Sequence, residues 1–264
     1  MIKAGMRLAA IAGALGAWTA TTALTAADAA PTIAHHPRVS AGRPGGGGSG
    51  SSATGWASSN WSGYAEAGGT YTSATASWVV PSVSPTRKAS YSSAWVGIDG
   101  FNNNNLIQTG TESDYYSGAA HYYAWWEILP AAETRITSMT VRPGDLMSAT
   151  ITKGSGNSWT ITISDTTNGG SFTTNQTYTG PGTSVEWVEE APSIGGHVAT
   201  LATYSSPDTF DPGTANGRNP GLTVDDGGVM IQKHRQVSTP SAPDADTDGF
   251  NMAYGAAAPA PPNS

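Results

Sequence analysis

Between Trp56 and Tyr254 the chain never sustains an apolar repeat of 3.6 residues. Short runs rich in Val, Ile, Thr, Tyr and Trp recur instead, roughly every 8–12 residues, each closed by Gly, Pro, Asn or Asp. That pattern confines the chain to antiparallel strands. Thr72–Val80 alternates, putting Ala74, Ala76, Trp78 and Val80 on one face. In 159–164 the inward set is Trp159, Ile161 and Ile163. Turns at 143–145, 153–157 and 165–170 separate 136–141, 146–152, 159–164 and 172–178 as successive strands. A meander of this kind buries its apolar faces by packing sheet on sheet, so the expected fold is all-β, an antiparallel β-sandwich. The chain has no cysteine. Core and ladder alone must hold it together, which about 200 residues allow.

The ends read differently. Residues 1–29 carry Lys3 and Arg7, an apolar run from Leu8 to Leu24 and an Ala27-Asp28-Ala29 cleavage pattern, which is a secretory signal peptide. No later stretch approaches the ~20 apolar residues a membrane span needs. The expectation is a secreted, extracellular protein with no membrane partner. Residues 30–55 are Gly/Ser/Pro-rich and read as a propeptide or linker, 56–255 as the folded domain and 256–264 as a flexible tail. His35 and His36 sit in that leader without a third ligand, so no metal is expected there. Asp244-x-Asp246-x-Asp248-Gly249 opens like a calcium loop, but Gly255 stands where the bidentate Glu belongs, and a turn before the strand 250–254 is the simpler reading. Asn60-Trp61-Ser62 and Asn175-Gln176-Thr177 are glycosylation sequons only in a glycosylating host. Without 1–29, the 12 basic and 19 acidic residues fall to 10 and 18, a net charge of about −8. That excludes a basic nucleic-acid footprint. Only 12% of residues are charged, so few ion pairs are lost in acid and acid tolerance is expected.

Two stretches carry chemistry. In the first, Trp95–Ile98 and Leu106–Gln108 flank Asp99-Gly100 and four asparagines, which is hairpin chemistry, and the aromatic strand 122–128 follows. Gln108 ends an apolar strand beneath Trp95, Trp125 and Trp126, an odd choice for packing alone, although a satisfied half-buried amide is the bland alternative. In the second, Val185–Ala191, period two puts Glu186, Val188 and Glu190 on one face and Trp187, Glu189 and Ala191 on the other. Such a strand borders either a cleft or solvent, the latter as an edge charged against aggregation.

WVGIDG followed by IQTG, then AWWE-x-x-P, resembles the glutamic peptidases, the eqolisin or G1-type acid proteases. NWSGY at 60–64, ATASWVVPSV at 74–83 and VEWVEEAPS at 185–193 extend the resemblance over roughly 56–254. It implies two large curved antiparallel sheets, similar to lectins and concanavalin-like jelly-roll glucanases. It also implies a catalytic pair, Gln108 and Glu190, and cleft positions at Trp61, Trp95, Asp99 and Glu127. Fungal members carry disulfides and this chain, a bacterial-type member without cysteines, does not. Glu189 stands where an apolar residue is usual, and Tyr123 where some members have an acid.

A peptide bond can be hydrolysed by one carboxyl and one amide without metal or cofactor. Glu190 takes a proton from water and returns it to the leaving amine, while Gln108 positions the water and stabilises the oxyanion. The resemblance therefore implies a pepstatin-insensitive acid endopeptidase acting on polypeptides, with a monomer as the default state. The alternative is a carbohydrate-binding or glycoside-hydrolysing sandwich. Glu186 and Glu190 lie about 13 Å apart at ~3.3 Å per residue, too far for the ~5–9.5 Å that glycosidases use, but Glu127 could still partner Glu190. No G-x-S-x-G elbow or D-[TS]-G element is present, and His121, His197 and His234 have no distinguishing context.

Overall fold

The computed structural model describes residues 1, 30–43 and 55–263. Residues 2–29 of the expected signal peptide, including Lys3 and Arg7, and residues 44–54 of the Gly/Ser/Pro-rich stretch lie outside the described residues. In chain order the strands are β1 (Ile33–Ala34), β2 (Trp56–Ser58), β3 (Trp61–Ala67), β4 (Ser73–Val79), β5 (Ser93–Ile98) and β6 (Ile107–Tyr116). Then come β7 (Ala119–Ile128), β8 (Thr134–Ile136), β9 (Leu146–Lys153), β10 (Ser158–Asp165), β11 (Gly170–Thr177) and β12 (Ser184–Glu190). The last are β13 (Ser193–Ile194), β14 (His197–Val198), β15 (Asp208–Ala215), β16 (Gly227–Gln232), β17 (Arg235–Pro240) and β18 (Phe250–Tyr254). Among the described residues the only helical segment is one 3₁₀ turn, Val224–Asp226.

Fifteen strands share one hydrogen-bonded sheet, fourteen of them in the path β11-β10-β9-β4-β15-β18-β17-β16-β3-β12-β5-β6-β7-β8 and β2 alongside β16. The path doubles over: β4 and β9 lie against β5, β9 and β10 against β6, and β12 against β15. The result is the expected antiparallel sandwich, although its two layers belong to one continuous ladder. Trp78, Ile98, Ile107, Trp159, Ile161, Ile163, Trp187 and Phe210 fill the space between them. Alternation predicted the inward residues of β4 and β10 correctly, and each of them is buried. The strand expected over 136–141 does not form: β8 covers Thr134–Ile136, and 137–141 is turn and irregular chain. At the hairpin between β5 and β6, Asp99 (φ 73°) and Gly100 (φ 99°) both take the left-handed backbone that the asparagine-rich turn required.

β12 is not a charged edge. It runs between β3 and β5, and all seven of its residues are buried. On its far side from Glu190, Glu189 meets Asp208 of β15, and both carboxyls are buried. Burial first, then the charge of Asp208, pushes Glu189 well above the ordinary carboxylate range, and burial pushes Asp208 up to about 7. Glu186 and Asp114 are also raised well above it, chiefly by burial. Carboxyls raised in the folded state support the fold while protonated. That support is complete below the unfolded values near pH ~4 and disappears as pH rises through the folded ones, near 7 for Asp208. The unfolding temperature, followed by circular dichroism, is therefore expected to be higher at pH 4–5 than at pH 8 by roughly 5 °C or more. Glu189→Gln, which removes one charge of the pair, should flatten that slope. The acid tolerance expected from scarce ion pairs would then have a second source, carboxyls whose burial favours the neutral form.

Candidate active site

Strand register assembles the site. On the face of β6 opposite the main core, period two aligns Gln108, Gly110, Glu112 and Asp114. Ladder partners extend these rows sideways: Gln108 faces Gly97 and Glu127, Gly110 faces Trp95 and Trp125, and Glu112 faces Ser93 and Tyr123. On the other side of β5, Glu190 pairs with Ser93, and beyond it with Trp61. Gly110 is needed here because a Cβ would sit 2.5 Å from that of Trp95. Trp95 therefore lies across the rows, edge-on to Trp61 at 4.9 Å between ring centroids. Trp61, Trp95 and Trp125 belong to one buried apolar cluster on this face. Trp126 does not join them, because alternation turns it to the other side, where it packs on the main core.

Gln108, Glu127 and Glu190 are all buried. Gln108 Nε2 donates to Glu127 Oε2 at 2.6 Å, which fixes the amide and leaves its Oε1 buried without a partner. Glu190 Oε2 accepts the Trp95 indole N–H at 2.9 Å, and its Oε1 accepts Asn60 Nδ2 at 3.4 Å. Burial pushes Glu127 up to about 7, with the Glu190 charge acting the same way and His35 and Gln108 opposing it.

The leader occupies the remaining space. Its β1 pairs with β13, Ile33 opposite Ile194, and delivers His35 into the site, where it is fully buried. His35 Nδ1 lies 2.9 Å from Glu190 Oε2, and Nε2 lies 3.3 Å from both Glu112 Oε1 and Glu133 Oε2. The ring stacks on Trp125 with 3.8 Å between centroids. The leader backbone also donates, from His35 N to Glu127 Oε1 at 3.2 Å and from His36 N to Glu190 Oε1 at 3.3 Å. Farther along, Arg38 lies over Phe101 at 4.2 Å and its N–H reaches the Gly100 carbonyl. Burial alone would lower the His35 pKa, but Glu190, Glu112 and Glu133 together hold it well above 6.5. A leader whose composition suggested a free linker is thus docked, and the histidine pair read as inert supplies the residue at the centre.

Five of the six residues expected here meet: Gln108, Glu190, Trp61, Trp95 and Glu127. Asp99 does not join them. Its carboxylate accepts from Tyr178 Oη at 2.6 Å, Gly182 N at 2.8 Å and Thr183 N at 2.9 Å, so it ties the β5–β6 turn to the segment before β12. Sequence reasoning missed Glu112, Glu133 and His35. Glu112 was within reach, being four positions from Gln108 on the same strand face. Glu133 follows β7, takes a 2.6 Å bond from Tyr123 Oη and has no motif around it. Tyr123 thereby holds an acid from the neighbouring loop against the site.

A profile of the Peptidase A4 family matches residues 59–251. Aspergillopepsin-2 of Aspergillus niger is 29% identical over 217 residues, 72% of this chain and 76% of its own length. Among solved structures, scytalido-glutamic peptidase with a transition state analog inhibitor superposes with a TM-score of 0.65 at 23% identity, over 74% of this chain and 98% of that one. SCP-B, described as an eqolisin in complex with the tripeptide Ala-Ile-His, gives 0.60 at 24%, over 74% and 98%. Aspergilloglutamic peptidase from Aspergillus niger gives 0.53 at 24%, over 62% and 99%.

Proposed function

Because this chain belongs to the Peptidase A4 family and is a glutamic endopeptidase with the eqolisin fold, we propose that Gln108 and Glu190 form its catalytic dyad. Glu190 as carboxylate takes a proton from a bound water, whose oxygen attacks the substrate carbonyl. Gln108, oriented by Glu127, holds that water through Oε1 and offers its second N–H to the developing oxyanion. Glu190 then passes the proton to the leaving amine. The supporting observation is a short chain of contacts: Gln108 to Glu127, Glu127 to the His35 backbone, and the His35 ring to Glu190. Glu190 touches the imidazole directly, and Gln108 is tied to the same residue through Glu127. Trp61, Trp95 and Trp125 exclude bulk water from it and line a path for an extended polypeptide.

The leader is part of this reading. Its backbone adds a strand beside β13, the mode by which extended peptides dock on sheet edges, while its imidazole covers Glu190. Residues 30–55 then act as a propeptide between a signal peptide, 1–29, and the catalytic domain, 56–255. The protein is secreted, acts as a monomer on polypeptides, and uses no nucleic acid, membrane or cofactor. Casein digestion by processed enzyme tests the assignment. Hydrolysis is expected near pH 3–4, unchanged by pepstatin and fading towards neutrality. A neutral optimum, or full inhibition by pepstatin, rejects it.

A further inference from the structure

On another part of the fold, the loop before β18 and a bulge in β15 bring three aspartates together. The β15–β4 register slips between Phe210 and Gly213, which ejects Asp211 and Pro212 from the ladder. Gly213 N donates to the Asp248 carbonyl at 2.8 Å, pinning that bulge to the 244–249 loop. One carboxylate oxygen from each of Asp211, Asp244 and Asp248 then lies within 4.8 Å of the others. Asp244 is only 6% exposed. Its Oδ1 accepts the backbone N–H groups of Asp248 and Gly249, both at 3.2 Å, whereas its Oδ2 and the Oδ1 of Asp248 are buried with no partner. Among the described residues none of these aspartates forms an ion pair. Gly249 keeps the space open, since a Cβ there would collide with Asp244 Oδ2 and crowd Asp211 Cγ at 2.8 Å.

Three carboxylates aimed at one point, with no cation and two buried orphan oxygens, are a costly arrangement unless something positive fills it. We propose that Asp211, Asp244 and Asp248 bind one calcium ion. Oxygen-only donors exclude a thiophilic or imidazole-seeking metal, and the spacing suits ligands set about 2.3–2.6 Å from a shared centre. Water can complete the shell from the open concavity lined by Pro243, Asp244, Pro261 and Pro262. The loop has the Asp-x-Asp-x-Asp-Gly opening of a calcium loop but no glutamate at its twelfth position. Here Asp211, 33 residues upstream in the chain and adjacent in space, supplies the missing carboxylate. Asp246, the middle aspartate, is exposed and lies outside the cluster.

The test uses chelator-treated full-length protein at pH 7, where calcium chloride is titrated by calorimetry and thermal unfolding is followed with calcium, magnesium or EGTA. One saturable calcium site is expected, with a rise in Tm of roughly 5 °C or more at about 100-fold excess over Kd. Asp211→Asn and Asp244→Asn should abolish both effects, and Asp246→Asn should retain them. Wild-type protein without calcium heat or a Tm shift overturns the proposal, as does wild-type affinity in Asp211→Asn. Should Asp244→Asn fail to fold, Asp248→Asn takes its place under the same criteria.

Discussion

In enzyme freed of residues 1–55, Glu190→Gln is expected to lower kcat/KM for a peptide substrate by about 10²–10⁴, the range for losing a general acid/base. Gln108→Ala should lower it by about 10²–10³, the range for losing one oxyanion donor. Both losses should fall on kcat, because each interaction is made in the transition state. The pair acts on one water, so the double variant should be little worse than Glu190→Gln alone. Glu127→Gln separates positioning from chemistry. It keeps a group beside the Gln108 amide but can present the wrong one, so a smaller loss with an altered pH profile is expected. A loss below tenfold in either dyad variant, with the fold intact by circular dichroism, removes that residue from the mechanism. An unaltered Gln108→Ala would leave a sandwich with a buried amide and reopen the carbohydrate reading.

The strands of this domain were legible because alternation is a local property: Ala74, Ala76 and Trp78 declare one face wherever β4 ends up. The residues proposed as the dyad stood out through their motifs, and Glu190 through its register with Glu186. What could not be read is whatever depends on curvature and closure. Glu189 looks like surface charge in a string of letters, yet Asp208 meets it in the interior after the ladder doubles over. Asp99 lies within a motif of the cleft, and only the arrival of Tyr178, Gly182 and Thr183 shows that its carboxylate is spent on the turn. The leader was hardest. Gly and Ser suggest freedom, and nothing in AHHP announces that β13 will capture Ile33 and swing His35 onto Glu190.

That capture predicts a pH-dependent latch. In the full chain, His35→Ala should raise the initial rate on a peptide substrate at about pH 6 by at least tenfold, and change it by less than about twofold near pH 3.5. Removing one partner of a buried ion pair costs about 3–5 kcal/mol, roughly 10²–10⁴ in docking. The sign follows from the groups around the ring: Glu112 and Asp114 of β6, Tyr123 and Glu127 of β7, Glu133, and Glu190 of β12. Docking holds His35 well above 6.5, so its contribution is complete below about 6.5 and is lost as pH rises through the docked value. Burial raises Glu112 and Glu127, but the imidazolium lowers both relative to a site without it. The imidazolium pairs only with their ionised forms, so that part of the docking weakens as acid protonates them. The leader is therefore expected to grip near pH 6 and to loosen in acid, where the proposed dyad would work. A synthetic peptide of residues 31–41 should inhibit leader-free enzyme in the same way, with an inhibition constant at least tenfold higher at pH 3.5 than at pH 6. His35→Phe divides the grip into its parts. The ring still stacks on Trp125 but no longer pairs with carboxylates, so any remaining inhibition should be independent of pH. An inhibition constant that does not vary with pH for the native peptide would mean that stacking and β-pairing hold the leader, and that charge does not.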